Sequence, residues 1–205
     1  MKPRVNLLFL CLSVSICLAD YSDGLIDETE YEEWVEWAIY NPPLIVDGGG
    51  ANVIEIRENG RLEVRSTSTP VNGDWLTGGI RDIHLDDYSE LFYLGGITDI
   101  LSVAENATAV LWNGSINCIW SMQDVDWLHG EPTNQHIDLY CQMDWSWIDN
   151  DPLLGIEGKW LDGSSFYIEF INDEDHDPVW ANINIIPEPA TLFLISLGAV
   201  IVRSR

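Results

Sequence analysis

Apolar residues recur at every second position in several short stretches of this 205-residue chain. The clearest pairs are Ile54 and Ile56, Leu62 and Val64, Ile83 and Leu85, and Leu91 and Tyr93. Because successive side chains of a β-strand point to opposite faces, a spacing of two predicts half-buried strands. Helical spacing fits none of these stretches well, so the pattern predicts an all-β chain.

The strands belong to a repeated unit that begins with glycine. The four copies are GGANVIEI (49–56), GGIRDIHL (78–85), GGITDILSV (95–103) and GSINCIW (114–120), and their first glycines are 29, 17 and 19 residues apart. A second arm follows the first three copies, as RENGRLEV (57–64), LDDYSELFYL (85–94) and VAENATAVLW (103–112). Each arm has a small residue at its bend, at Gly60, Ser89 and Ala107. We expect the unusual φ angles of a tight corner at these residues and at the residues before them, Asn59, Tyr88 and Asn106.

Units of 17 to 19 residues with alternating apolar positions predict a short parallel β-solenoid (β-helix), whose rungs bury a core by covering one another. A β-meander of hairpins is the competing fold. The solenoid predicts that Leu62, Leu91 and Ala109 stack in adjacent rungs about 4.8 Å apart, and that Val64, Tyr93 and Leu111 do the same. The longer first step is attributed to a polar excursion over residues 65–75.

The segments outside the repeats are expected to cap the solenoid, because its open ends would expose strand edges and core. Residues 20–47 form the predicted N-terminal cap, with Trp34, Trp37, Ile39 and Leu44 as covering side chains. Residues 48–120 hold the repeats. Residues 121–186 hold the remaining rungs and a C-terminal cap, in which the apolar runs around DGSS (162–165) predict a β-hairpin.

Charge changes the picture of the surface. The chain has 34 acidic and nine basic residues, a formal net charge of -25, and 46% hydrophobic residues. Between residues 20 and 186 the acidic residues number 33 and the basic ones five, since only Glu188 and four basic residues lie outside that range. The hydrophobic content is that of a folded protein. Such an acidic surface repels nucleic acid and anionic lipid, so we expect no nucleic-acid partner.

The first nineteen residues resemble an export signal in composition. A basic start precedes an apolar run, and Ala19 stands just before polar Asp20, so residues 1–19 are predicted to be a signal peptide cleaved between these two. Cys11 and Cys17 would be lost with it. Cys118 and Cys141 would remain, and in an oxidising compartment they could form a disulfide if their Cα atoms lie within about 7 Å. Two buried thiols that never meet are the equal alternative.

No catalytic residues are predicted. The carboxylate pair of Asp86 and Asp87 is the best candidate for an enzyme that cuts polysaccharide, because such chemistry needs a carboxylate pair, or a metal with a basic residue, in one cleft. The central region offers few cations to complete it: Arg57, Arg61, Arg65, Arg81 and Lys159. There is no Gly-x-Ser-x-Gly and no phosphate-binding loop.

No metal site and no cofactor are predicted either. His84, His129, His136 and His176 share no metal-ligand spacing. The acidic run NDEDHD (172–177) lacks the spaced Asp/Asn and Gly of a calcium loop, so a solvated turn is the better interpretation. Carbohydrate binding remains an alternative, since tryptophan stacks on sugars and Trp145 and Trp147 would point the same way on a strand.

The C-terminus differs from everything before it. Pro187, Glu188 and Pro189 precede thirteen apolar or small residues (190–202), and Arg203 and Arg205 follow. As a helix this run would be about 20 Å long, which is short of the ~30 Å hydrocarbon core of a bilayer. The segment 187–205 resembles the PEP-CTERM sorting signal of bacterial envelope proteins, which has the same three features in the same order, although two arginines make a modest basic end. The Gly-Gly repeats also look like the Gly-Gly-Ile β-solenoids that often precede this signal.

The resemblance implies a hydrophobic C-terminal helix that holds the exported protein in the membrane, basic end in the cytoplasm, until a transpeptidase-like exosortase processes it near the Pro-Glu-Pro motif. The chain is therefore expected to be a non-catalytic protein of the bacterial cell surface or extracellular matrix. Its expected partner is that processing enzyme. The alternative is a polysaccharide-binding module or polysaccharide-active enzyme on the same scaffold.

Overall fold

The computed structural model describes residues 24–38, 42–71, 73–120, 134–173 and 177–187. Within these ranges the chain forms fifteen β-strands and three short 3-10 turns, at Trp75–Thr77, Ile148–Asn150 and Val179–Asn182, and no α-helix. The all-β prediction is confirmed for this part of the chain.

Seven strands form one sheet in which every neighbouring pair is parallel. In spatial order they are β1 (Leu25–Asp27), β3 (Leu44–Asp47), β5 (Arg61–Ser66), β7 (Glu90–Tyr93), β9 (Thr108–Leu111), β11 (His136–Cys141) and β15 (Ile183–Pro187). From β1 to β9 each strand pairs with the next odd-numbered strand, whereas β11 pairs with β15.

Eight strands form a second sheet. In spatial order they are β2 (Tyr31–Trp37), β4 (Gly50–Ile56), β6 (Ile80–Leu85), β8 (Ile97–Val103), β10 (Ser115–Trp120), β14 (Ser165–Ile171), β13 (Gly155–Lys159) and β12 (Ser146–Trp147). Pairing is parallel from β2 to β14, and β14–β13 and β13–β12 are antiparallel.

From β1 to β11 the chain alternates between the two sheets, and one strand of each sheet in succession makes a rung. Inward side chains from both sheets form one buried hydrophobic cluster. Because consecutive strands lie in different sheets and strands two apart pair in parallel, the repeats are not a meander of hairpins. The arrangement is compatible with a β-helix-like fold.

The predicted ladders of apolar side chains are present. Leu62 pairs with Leu91, and Leu91 with Ala109. Val64, Tyr93 and Leu111 form the second ladder, and all six residues are fully buried. Equivalent positions therefore stack as the repeat predicts.

The repeat alignment was wrong by one residue in the third copy. That alignment placed Ile100 in the ladder with Ile83 and Ile119, but the structure places Leu101 there. Ile100 lies on the outer face and is only half-buried. The ambiguity came from two adjacent glycines at 95 and 96. Gly96, and not Gly95, is the residue equivalent to Gly114 of the next copy. Both adopt the left-handed φ of about +100° that favours glycine.

The second type of corner was also misassigned. Positive φ occurs at Glu58, Asp87 and Glu105 and not at the small residues that follow them or at Asn59, Tyr88 and Asn106. Gly60 serves a different purpose, since a Cβ there would lie 2.8 Å from Ile56 and 3.0 Å from the carbonyl oxygen of Trp37. At Gly60 a small residue is therefore required by the lack of space, and the equivalent residues Ser89 and Ala107 are fully buried.

The terminal segments differ in how well they match the expected caps. The described part of residues 20–47 forms β1, β2 and β3, which pair in parallel like the repeats, so this segment is itself built of rungs. Trp37 and Leu44 are buried as expected, Trp34 is 55% exposed, and Ile39 lies outside the described residues. The C-terminal hairpin is confirmed as β13 and β14.

The polar excursion is also confirmed. Leu62 pairs with a residue 29 positions later, whereas Leu91 pairs with one 18 positions later. The additional residues lie between β5 and β6 and include the first 3-10 turn.

Candidate functional site

The outer face of the eight-stranded sheet has a polar strip that follows from a bend in each strand. In β6 the core residues are Ile80, Ile83 and Leu85, so Arg81 and Asp82 both lie outside the core. The same spacing of three and then two recurs in β4, and the ladder pairing skips one residue at the bend in both strands. Each rung therefore has two adjacent outward positions, of which the first is polar in four strands (Asn52, Arg81, Asp99 and Asn117) and the second is apolar at Val53 and Ile100.

Side chains at this bend bond to each other along the sheet. The amide of Asn117 donates to the carboxylate of Asp99 in the neighbouring rung at 2.9 Å. Asn52 donates to Glu33 in the same way at 3.0 Å. These bonds hold the outer-face side chains in a fixed arrangement.

Two shallow cavities lie side by side on this face, and Tyr167 lines both. One has a volume of about 360 Å³ and the other about 400 Å³. We call the combined depression the trough. Its lining includes Asp144, Ser146, Glu157, Lys159 and Tyr167 in the first cavity, and Asp99, Asn117, Cys118, Glu169 and Ile171 in the second.

Strand register explains why these residues meet. Glu157 of β13 pairs with Tyr167 of β14, and Ser146 of β12 pairs with Glu157. On the other side, Glu169 of β14 pairs with Cys118 of β10. The trough therefore crosses five strands, from β12 to β8, which is about 19 Å at the usual spacing between strands.

Charge in the trough is mostly negative. Among the described residues that line it, Lys159 is the only cation, and it forms an ion pair of 2.9 Å with Asp144, whose pKa is held below its usual range by that bond. Glu157 accepts a hydrogen bond of 3.2 Å from Ser146. The carboxylate of Glu169 has no hydrogen-bond or ion-pair partner among the residues that the structure describes. The trough thus presents acceptors and few donors.

Alternation in the sequence could have identified this surface. The strand SFYIEFI (165–171) places Tyr167, Glu169 and Ile171 on one face by its period of two. Tyr167, Glu157 and Glu169 lie in the segment predicted to be a C-terminal cap, and they were not among the predicted site residues.

The predicted carboxylate pair does not converge on a cleft. The carboxylate of Asp87 accepts the backbone N–H of Glu58 at 2.8 Å, as part of a corner. Asp86 is half-buried, and its pKa is raised by burial and by the charge of Glu55, against the opposing effect of His84 and Arg57. Neither residue lines the trough.

The tryptophan pair does not form a flat platform. Trp145 and Trp147 have ring centroids 5.3 Å apart and an interplanar angle of 75°, and both are partly buried against the core. Trp112 and Tyr140 are parallel, with centroids 4.1 Å apart, but each covers a face of the other. Trp145 and Trp147 therefore lie on the same side of the chain, but their edge-to-face geometry does not provide two coplanar rings for a sugar.

The histidines are dispersed. His136 lies 2.7 Å from the carboxylate of Asp138 on the seven-stranded sheet, and His84 lies on the other sheet. His129 and His176 lie outside the described residues, as does most of the charged part of NDEDHD. In the ranges that the structure covers, no three His, Cys, Asp or Glu residues form a group that could hold a metal ion.

Cys118 and Cys141 are free thiols in this structure. They lie on different sheets, and only Cys141 belongs to the hydrophobic core cluster. Cys118 lines the trough, and its thiol contacts the carbonyl oxygen of Asp99 at 3.3 Å. Burial is the main cause that raises the pKa of each thiol to about 11.

The terminal signals lie almost wholly beyond the described residues. These residues begin at 24, after Ala19 and Asp20, and end at Pro187, before Glu188, Pro189 and the apolar run. Pro187 is the last residue of β15 and pairs with Cys141. Among the described residues, none forms a helix with the length and apolar character that crossing a membrane requires.

Comparison with protein-family models, with curated proteins and with solved structures finds no match for this chain.

Proposed function

We propose that this chain is an exported, non-catalytic protein of the bacterial cell surface or extracellular matrix. In this proposal the two sheets form a short β-solenoid with capped ends, and the hydrophobic C-terminal helix is a transient anchor in the inner membrane. The observation that carries the proposal is the order of features in residues 187–205: Pro187-Glu188-Pro189, an apolar run, and a basic end.

The position of Pro187 supports this proposal. It lies in β15, the strand at the edge of the seven-stranded sheet, so the motif begins at that edge. A processing enzyme would then reach the motif without unfolding a rung. The two arginines would keep the far end of the apolar run in the cytoplasm.

The structural role of Asp87 supports the part of the proposal that the protein is non-catalytic. Its carboxylate is engaged by the backbone N–H of Glu58, whereas a general base must reach a substrate proton. The trough favours the binding module over the enzyme within the alternative function, because it combines an exposed tyrosine with polar side chains on a rigid sheet.

The test is the mass of the exported protein. The full chain is expressed in a bacterium that has an exosortase-type enzyme and in the same strain without it. We expect the released protein to lack residues 190–205 in the first strain and the uncleaved chain to stay in the membrane fraction in the second.

Alanine at Pro187, Glu188 and Pro189 together should leave export intact and trap the full-length chain in the membrane. Pro178→Ala, which changes a proline just before the last 3-10 turn, is the matched control and should be processed normally. If the surface protein still carries residues 190–205, the tail is an ordinary anchor and the sorting proposal is wrong.

A further inference from the structure

We propose that the trough binds a linear polysaccharide whose sugars carry free amino groups. This inference rests on the binding alternative of the proposed function and not on the C-terminal signal. It can therefore hold or fail whatever the fate of the tail.

The shape of the trough fits a chain. Small molecules are usually enclosed in a pocket that buries most of their surface. Here two shallow cavities lie next to each other and share Tyr167 as a lining residue, across about 19 Å of sheet. Several consecutive units of an extended polymer would contact such a surface, and each unit would be only partly covered.

Tyr167 supplies the apolar contact in the middle. Its side chain is 53% exposed, and the structure shows no ring contact between Tyr167 and another described aromatic residue. An accessible aromatic face packs against the C–H face of a sugar ring, while the hydroxyl at its edge can bond to the polymer.

The acceptors of the trough select a ligand that is rich in donors. Ionised carboxylates only accept hydrogen bonds, and Asp99, Glu157 and Glu169 surround the tyrosine. Lys159 is already paired with Asp144. Sugar hydroxyl groups can donate to these carboxylates, and ammonium groups also compensate their charge, whereas an acidic polymer would be repelled.

Backbone pairing argues against a peptide as the ligand. Peptides commonly bind to a sheet by adding a strand to its free edge. The strands beneath the centre of the trough, β8, β10, β14 and β13, each have neighbours on both sides. Only side chains are available there, which suits a ligand that is recognised through hydroxyl and amino groups.

The experiment is isothermal titration of the exported protein with four hexamers of defined chemistry. The probes are β-1,4-linked glucosamine, the N-acetylated form of the same hexamer, cellohexaose and hexalysine. We expect the glucosamine hexamer to bind at least about tenfold more tightly than the acetylated and neutral sugars, and its affinity to fall as salt is added.

Variants distinguish binding in the trough from attraction by the overall negative charge of the protein. Tyr167→Ala should weaken the glucosamine hexamer about tenfold, and Glu169→Gln should weaken it in the same direction. Tyr88→Ala is the matched control, because Tyr88 is 63% exposed at a corner outside the trough, and it should leave the affinity unchanged. Circular dichroism checks that each variant is folded.

Several results would overturn the proposal. They are no binding of the glucosamine hexamer, equal binding of the neutral sugar, or an affinity that Tyr167→Ala and Glu169→Gln leave intact. Hexalysine could also bind as tightly as the glucosamine hexamer, with an affinity that neither Tyr167→Ala nor Tyr88→Ala changes. That result would show that only the net charge of the protein attracts cations.

Discussion

The carboxylate of Asp87 accepts a hydrogen bond of 2.8 Å from the backbone N–H of Glu58, the residue at the equivalent corner of the adjacent rung. The N–H of Asp87 in turn donates to the carboxylate of Glu105 at 3.1 Å. All three acidic residues have φ between +53° and +57°. Each corner therefore places an acid in an unfavourable backbone conformation and uses its side chain or its N–H to join neighbouring rungs.

Substitutions at Asp87 should separate these two effects. Asp87→Ala should lower the free energy of unfolding by about 1–2 kcal/mol, because the N–H of Glu58 loses its charged acceptor. Asp87→Gly also loses the carboxylate but relieves the left-handed strain, so it should be about 1 kcal/mol more stable than the alanine variant. Chemical denaturation measures both, with exposed Tyr88→Ala as control. An alanine variant as stable as the parent would show that the hydrogen bond contributes nothing.

The register of the third repeat can be tested with two neighbouring residues. Leu101 is fully buried in the ladder with Ile83, so Leu101→Ala should cost about 2–5 kcal/mol of unfolding free energy. Ile100 faces outward, and Ile100→Ala should cost less than about 1 kcal/mol. Urea melts of the two variants make the comparison, and a larger loss at Ile100 would support the original alignment.

Asp86 should make stability depend on pH. Because its pKa is raised in the folded state, the folded chain binds the proton more tightly than the unfolded chain does. The ionised carboxylate of Asp86 therefore lowers the free energy of unfolding. This loss of stability is absent below the unfolded pKa of about 4, grows as the pH rises through the raised pKa of the folded state, and is complete at neutral pH.

Asp86→Asn should therefore stabilise the protein at pH 7 by up to about 0.5 kcal/mol after allowance for solvent screening, and by nothing near pH 3. Glu28→Gln, at an exposed position, removes the same charge and controls for relief of the general repulsion. An equal gain in stability from both substitutions at pH 7 would show that relief of the general charge repulsion, and not the burial of Asp86, causes the effect.

The two thiols should be unreactive until the protein unfolds. Their pKa values of about 11 leave very little thiolate at pH 8, and both side chains are buried. A thiol-reactive dye added to the chain purified without reductant should label neither Cys118 nor Cys141 at first and both after denaturation in guanidinium. Denatured chains that still react with no dye would instead contain a Cys118–Cys141 disulfide.

The parallel ladders followed from the sequence because strand periodicity is local. Leu62, Leu91 and Ala109 occupy the same position of a repeated unit, and identical units can bury their apolar faces only by stacking in register. The hairpin around DGSS was likewise predictable from residues close together in the chain. In both cases a short stretch contains all the information that the geometry needs.

Exact register required the tertiary structure. Ile100 and Leu101 are both apolar, and Gly95 and Gly96 could each start the unit, so the sequence contains two alignments of almost equal quality. Packing decides between the two alignments. Only one of them stacks Leu101 on Ile83 and places two left-handed glycines, Gly96 and Gly114, at equivalent corners of adjacent rungs. The choice depends on contacts between residues 18 positions apart.

The trough illustrates the same division. Sequence alone determined an acidic, all-β repeat chain and a C-terminal segment in which Pro-Glu-Pro, an apolar run and two arginines follow in that order, because charge, period and motif order are properties of the chain itself. Tertiary structure alone decided that Glu169 lies beside Cys118 of β10, and that the carboxylate of Asp87 is bound at a corner by the N–H of Glu58. Sites of this kind join strands that are distant in sequence, and their proximity exists only after the sheet has formed.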